Sequence, residues 1–262
     1  APFVEDVFTN FEHKSSSTLV IGAFLFAIQV YADFSGYSNI AIGTAKLFGI
    51  RLSINFRYPI FARNISEFWQ RWHISLTHWC RDYIYKPMGG GRLGKKRQFV
   101  NVLVLFLVMG LWHGANWTFL IFGLVHGLYF LVPVFLGSTT AARQVSGFSL
   151  FPSLKELFQM VNTFLLFSFS VIPFRSDSLA NLLGYYSGLF SGWDKLDFAG
   201  TSHLLFWSSI FIGAEWVQRR CEHALDFKSQ NRAISWIVCS ITIVTILFYG
   251  EFGKKSFIYF QF

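Results

Sequence analysis

Residues 98–142 run for 45 positions without a charged side chain, and near the middle of that stretch stands His113, in Leu111-Trp112-His113-Gly114-Ala115-Asn116-Trp117. At about 1.5 Å of rise per residue, the run is long enough for two membrane spans, or for one span and a broken helix. An ionisable ring placed there marks a functional site by default, because lipid offers a polar group no water to bond. Gly110, Gly114, Gly123 and Gly127 punctuate the run. They predict close helix packing or a break near His113.

Only 14% of the 262 residues are charged, against about 25% in soluble domains. Thirty-three Phe and nine Trp exceed what a soluble monomer of this size can bury, whereas lipid accepts Phe throughout and Trp at its interfaces. The length suffices for roughly six spans of about 20 residues. Besides those in 98–142, apolar segments at 18–31 (continuing through a polar patch at 33–39 to residue 50), 157–173, 204–217 and 233–249 are the expected spans. Residues 61–85, rich in Trp, Phe, Ile and Arg, read as helices lying in the interface or dipping partway into it.

The formal net charge of +8 resides entirely between Arg51 and Arg97, where ten basic residues face only Glu67 and Asp82; elsewhere charges balance. The positive-inside tendency puts this region in the cytoplasm and the polar N-terminal residues 1–17 outside. A double pass through 98–142 then returns the chain to the cytoplasm at Arg143. Connections 175–202 (net −1, outside) and 218–232 (net +2, inside) alternate as the rule expects, and the tail after Tyr249, at +1 outside, breaks it mildly. So apolar a chain is not a nucleic-acid binder, despite its basic stretch. Cys80, Cys221 and Cys239 are far apart and form no CxxC pair, so neither a disulfide scaffold nor a metal site is indicated. The chain starts at Ala1 without a signal-peptide pattern and reads as the C-terminal part of something longer.

Several side chains carry chemistry. A neutral imidazole at His113 can accept a proton from a hydroxyl. Trp112 and Trp117 would wall it, and Asn116 would orient the ring or donate to a developing oxyanion. His126 lies 13 residues further, roughly 220° away on an unbroken helix, and reads as an interhelical hydrogen-bonding group. His73 follows Arg71 and Trp72, an interfacial anchor pattern, with His78 five residues on. Gly89 to Lys96 nearly matches a phosphate loop, but Lys96 stands where the magnesium-binding hydroxyl belongs. It reads as a flexible basic turn attractive to an anionic donor or anionic lipid. Asp33, just past an apolar run, calls for a cationic partner. Ser35 has no nucleophile elbow, so a serine hydrolase is not supported.

Four motifs in order, Tyr31 to Gly43, Phe68 to Leu76, Arg81 to Tyr85 with Gly89-Gly90, and Leu111 to Asn116, resemble the membrane-bound O-acyltransferases. They are most similar to the branch that acetylates alginate, other exopolysaccharides or peptidoglycan, as is the ending Phe257 to Phe262. The resemblance implies an all-α, polytopic multi-helix bundle with re-entrant and interfacial helices around a tunnel. Residues 1–262 would be a single membrane-embedded domain lacking N-terminal helices of the family fold. The family's essential histidine falls on His113 and its second motif residue on His73. Trp112, Asn116, Arg71 and Asp33 are the candidate substrate-binding residues around them. The reaction implied is transfer of an acetyl group to a polysaccharide hydroxyl or to a partner acetyltransferase outside the cytoplasm. Acetyl-CoA or another acetyl thioester would be a substrate, with no resident cofactor, and the setting a bacterial cytoplasmic membrane crossed several times, with membrane lipid as a further contact. The rivals are transfer of another acyl group, such as D-alanine to a cell-wall polymer, and a transporter, although the paired inverted broken segments typical of transporters are missing.

Overall fold

The computed structural model describes residues 2–135, 151–192, 198–221 and 232–250. The expected return at Arg143, parts of connections 175–202 and 218–232, and the ending Phe257 to Phe262 lie outside the described residues. Among the described residues all regular structure is helical: α1 (Pro2–Thr9), α2 (Ser16–Leu47), α3 (Ile65–Arg71), α4 (Ile74–Cys80), α5 (Lys95–His113), α6 (Trp117–Phe135), α7 (Leu154–Ser170), α8 (Ile172–Arg175), α9 (Leu179–Gly188), α10 (Phe198–Gln218) and α11 (Arg232–Tyr249). One π-helical turn, Arg81–Tyr85, continues α4.

Local chemistry sets the ends. Ser15 accepts from Thr18 N to start α2. Gly49, at φ 74°, lets the Gly49 and Ile50 amides bond back to Lys46 and Ala45 and stop it. Ser153 and Glu156 form a reciprocal capping box at α7. The polar patch Asp33 to Asn39 does not interrupt α2, which runs unbroken for 32 residues.

The uncharged stretch forms α6 and most of α5, two helices broken at 114–116 and packed as an antiparallel hairpin. A Cβ on Gly110 would stand 2.3 Å from the Phe119 carbonyl oxygen, and one on Gly123 2.3 Å from that of Phe106. Glycine is what lets the two backbones meet. The main core joins α2, α3, the hairpin and α7, with Phe26, Tyr31, Phe68, Phe106 and Phe167 at its centre. A second core holds α1 and α9 against the start of α2. Tyr31 ties α10 on by donating to Glu215 at 2.5 Å.

By length and apolarity, 16–47 and 154–175 can cross a membrane, while the apolar parts of α6 and α11 are shorter. Among the described residues the count of roughly six spans is therefore not met on that criterion. Lys95, Lys96 and Arg97 occupy the first turn of α5, and serines and Glu215 dilute the apolar character of α10.

Candidate active site

His113 is the last residue of α5, at the turn end of the hairpin. Its ring is half-buried among aromatic neighbours: Phe174 at 4.8 Å between ring centres, Trp112 at 4.9 Å, Phe122 at 5.7 Å and Phe119 at 6.2 Å. His73 arrives from another part of the chain, in the connection between the 7-residue helices α3 and α4. The Phe34 ring meets it edge-on at 4.8 Å and Trp112 at 6.0 Å. Its backbone is left-handed, φ 41° and ψ 55°, a conformation that costs a non-glycine residue about 1–3 kcal/mol and tends to be kept at functional sites. Nδ1 of His73 is buried without a hydrogen-bond partner among the described residues, and burial pushes this imidazole down to about 4.

The two histidines line one cavity. Its other walls are Val30, Trp69, Trp72, Leu76, Met109, Phe122, Phe167, Val171 and Phe174, around some 460 Å³ of space including the opening. The cavity is partly open, and His113 forms part of its wall. Two imidazoles beside a small, almost wholly apolar chamber can exchange a proton with a hydroxyl while little water competes.

The other sequence candidates do not line this cavity. Asn116 precedes α6: its Oδ1 accepts from Thr118 N and its Nδ2 donates to the Asp177 carbonyl, both at 3.2 Å. This closes the hairpin end and leaves the amide out of the cavity. Trp112 is half exposed beside both histidines, and Asp33 is half-buried on α2; neither lines the cavity. Arg71 donates to Glu67 at 2.6 Å and to the Arg57 carbonyl at 3.2 Å. Glu67, 1% exposed, also accepts from the Arg63 backbone and guanidinium. His126 is fully buried, with Nε2 2.8 Å from Ser170 Oγ. Since that hydroxyl donates to the Phe167 carbonyl, the imidazole must be the donor. This is the interhelical bond expected of it. The 220° separation on one helix does not apply, because the helix breaks; Phe122 packs edge-on against both rings, 5.7 Å from His113 and 4.6 Å from His126. The glycine-rich turn is not free either: buried Asn101 donates to the carbonyls of Met88 and Gly90 at 3.0 and 2.9 Å.

Residues 11–150, just over half of the chain, match the membrane-bound O-acyltransferase family, MBOAT. The chain belongs to that family. It is 39% identical over 171 residues to the probable alginate O-acetylase AlgI of Pseudomonas putida, covering 65% of this chain and 33% of that protein. The peptidoglycan O-acetyltransferase of Helicobacter pylori is 44% identical over 119 residues, 44% of this chain and 23% of the relative. The teichoic acid D-alanyltransferase of Streptococcus thermophilus is 34% identical over 112 residues, 40% and 27%. The matched part spans a third or less of each of these relatives.

Within this MBOAT chain, most of the cavity wall escaped motif reading. Met109 precedes His113 by four residues, Trp69, Trp72 and Leu76 are spaced by three and four, and Phe167, Val171 and Phe174 by four and three. Although the Trp69 trio straddles the break between α3 and α4 at Trp72 and His73, that spacing is a signal present in the sequence. Nothing in it said that the faces converge. Glu67 and Glu215 went unmarked as well, because a lone acid in a basic or apolar stretch names no partner.

Proposed function

We propose that the protein transfers an acetyl group from a cytoplasmic acetyl thioester, such as acetyl-CoA, to a hydroxyl of an extracytoplasmic polysaccharide, or to a partner acetyltransferase that completes the delivery. The observation that carries this reading is the convergence of His113 and His73 on one apolar, partly open cavity. His113 is the general base: it takes the acceptor hydroxyl proton as that oxygen attacks the thioester carbonyl. The carbon–sulfur bond then breaks, and the imidazolium returns the proton to the departing thiolate. His73 orients the reactants or stabilises charge beside it. A histidine base contributes typically about 10² to 10⁴ in rate. The cavity belongs to a passage joining donor and acceptor sides in a bacterial cytoplasmic membrane, crossed several times by the chain.

His113→Ala in the complete protein tests this reading: acetylation of the polymer falls to background at normal membrane levels. Unchanged acetylation refutes the assignment. Similarity to teichoic acid D-alanyltransferases supports a second reading, D-alanyl transfer to a cell-wall polymer, and mass analysis of the product separates the two.

A further inference from the structure

We propose that Asn55 is a positioning residue that holds His73 at the cavity by capping α4 in its place. This rests on the assignment of His73 to the reaction. His73 stands at the N-cap of α4, where a side chain ordinarily accepts from the exposed amides of the first turn. Its side chain makes no such bond; the ring is turned to the cavity instead. The cap comes from 20 residues earlier in the chain: Asn55 Oδ1 accepts from Ser75 N at 3.1 Å and from Ser75 Oγ at 2.6 Å. The Asn55 carbonyl accepts from Ile74 N at 3.0 Å.

A second tie grips the other side. Arg57 N donates to the Arg71 carbonyl at 2.9 Å, and Arg71 Nη1 donates to the Arg57 carbonyl at 3.2 Å. Residues 55–57 thus run beside 71–74 like a short ladder, with three positions on the short side facing four. Trp72 and His73 stand opposite Phe56 alone, one residue in excess, and the chain absorbs it by putting His73 in the left-handed region. Between the ties Phe56 packs edge-on against Trp72 at 5.1 Å and Phe34 at 4.9 Å, while Phe34 also meets His73. A conformation that an imidazole-bearing residue does not favour is therefore held from both ends. Asn55 is the side chain that does this without touching the cavity.

The test is steady-state kinetics of the complete protein in membranes, with Asn55→Ala and Asn55→Asp measured beside His73→Ala and His113→Ala. Releasing His73 by about 1 Å lowers kcat on the order of 10²-fold, with KM unchanged, in Asn55→Ala. Asn55→Asp keeps an acceptor for Ser75 and restores most of the rate, which loss of a merely structural contact would not predict. Wild-type kcat in Asn55→Ala, or Asp as defective as Ala, overturns the proposal. If Asn55→Ala does not accumulate, Ser75→Ala replaces it: a several-fold fall in kcat at unchanged KM supports the inference, and an unchanged kcat overturns it. Full activity in His73→Ala and His113→Ala sinks the functional reading itself. Inactive histidine variants beside a normal Asn55→Ala sink only the positioning role.

Discussion

Adding one methyl group at the hairpin seam should open it, whereas the same change elsewhere should stabilise the protein. In Gly110→Ala the new carbon would lie 2.3 Å from the Phe119 carbonyl oxygen, 1.1 Å inside the 3.4 Å at which ordinary contact begins; Gly123→Ala meets the Phe106 oxygen at the same distance. A backbone carbonyl in a helix cannot rotate away, so α5 and α6 must separate by about the missing ångström. Overpacking costs about 1–3 kcal/mol, and alanine's better helix propensity returns about 1 kcal/mol, which leaves each variant less stable by roughly 1 kcal/mol. Gly36→Ala and Gly43→Ala on α2 meet nothing within 4 Å. They keep only the propensity gain, so the sign reverses. One separation relieves both seam clashes, so Gly110→Ala/Gly123→Ala costs less than the sum of its parts. The seam also carries His113 at its end, and a shift of about 1 Å at a reacting group costs on the order of 10²-fold in rate. Thermal unfolding in detergent, with acetyl transfer measured in parallel, reads both effects. Seam variants as stable and as active as Gly36→Ala would refute the close approach and the mechanical role assigned to it.

Two further substitutions probe buried polar groups. Glu67→Gln removes the carboxylate shared by Arg63 and Arg71; Arg63 keeps Glu156 at 3.5 Å, while the half-buried Arg71 guanidinium loses its charged partner, at a cost of about 3 kcal/mol; an unchanged melting temperature would mean that the cluster contributes little. Ser170→Ala strips the acceptor from the buried His126 ring and should cost about 1–3 kcal/mol while kcat stays within a few-fold, because His126 does not line the cavity. A collapse of kcat at normal protein level would show instead that the His126–Ser170 pair enters the reaction.

Much of the helical architecture was legible beforehand because it is local. The glycines at 110, 114 and 123 announced both a close seam and a break, and both occur within a few residues of His113. The apolar stretches announced helices, though Lys95, Lys96 and Arg97 in α5 and Glu215 in α10 spoil the simple count of spans. Motif residues were legible as a set but not by job. Asn116 and Arg71 stand beside the histidines in sequence, yet Asn116 bonds Thr118 and Asp177, and both terminal nitrogens of Arg71 are engaged by Glu67 and Arg57. Neighbourhood along the chain predicts which groups are near, and competition among donors and acceptors decides which are left to act.

Sequence alone determined the membrane character, the basic face between 51 and 97, the helical pattern and the break that leaves a histidine at a helix end. These follow from properties of single residues and their nearest neighbours: hydropathy, charge, and the conformational latitude of glycine. Only the tertiary structure decided that His73 and His113, 40 positions apart, line one chamber, that Phe122 packs against both His113 and His126, and that Asn55 caps a helix whose own N-cap residue looks elsewhere. Each of these depends on which faces pack together. Period and composition leave that choice open, since many pairings bury similar apolar area, and it is settled by close contacts such as the glycine seam and the ladder at 55–57.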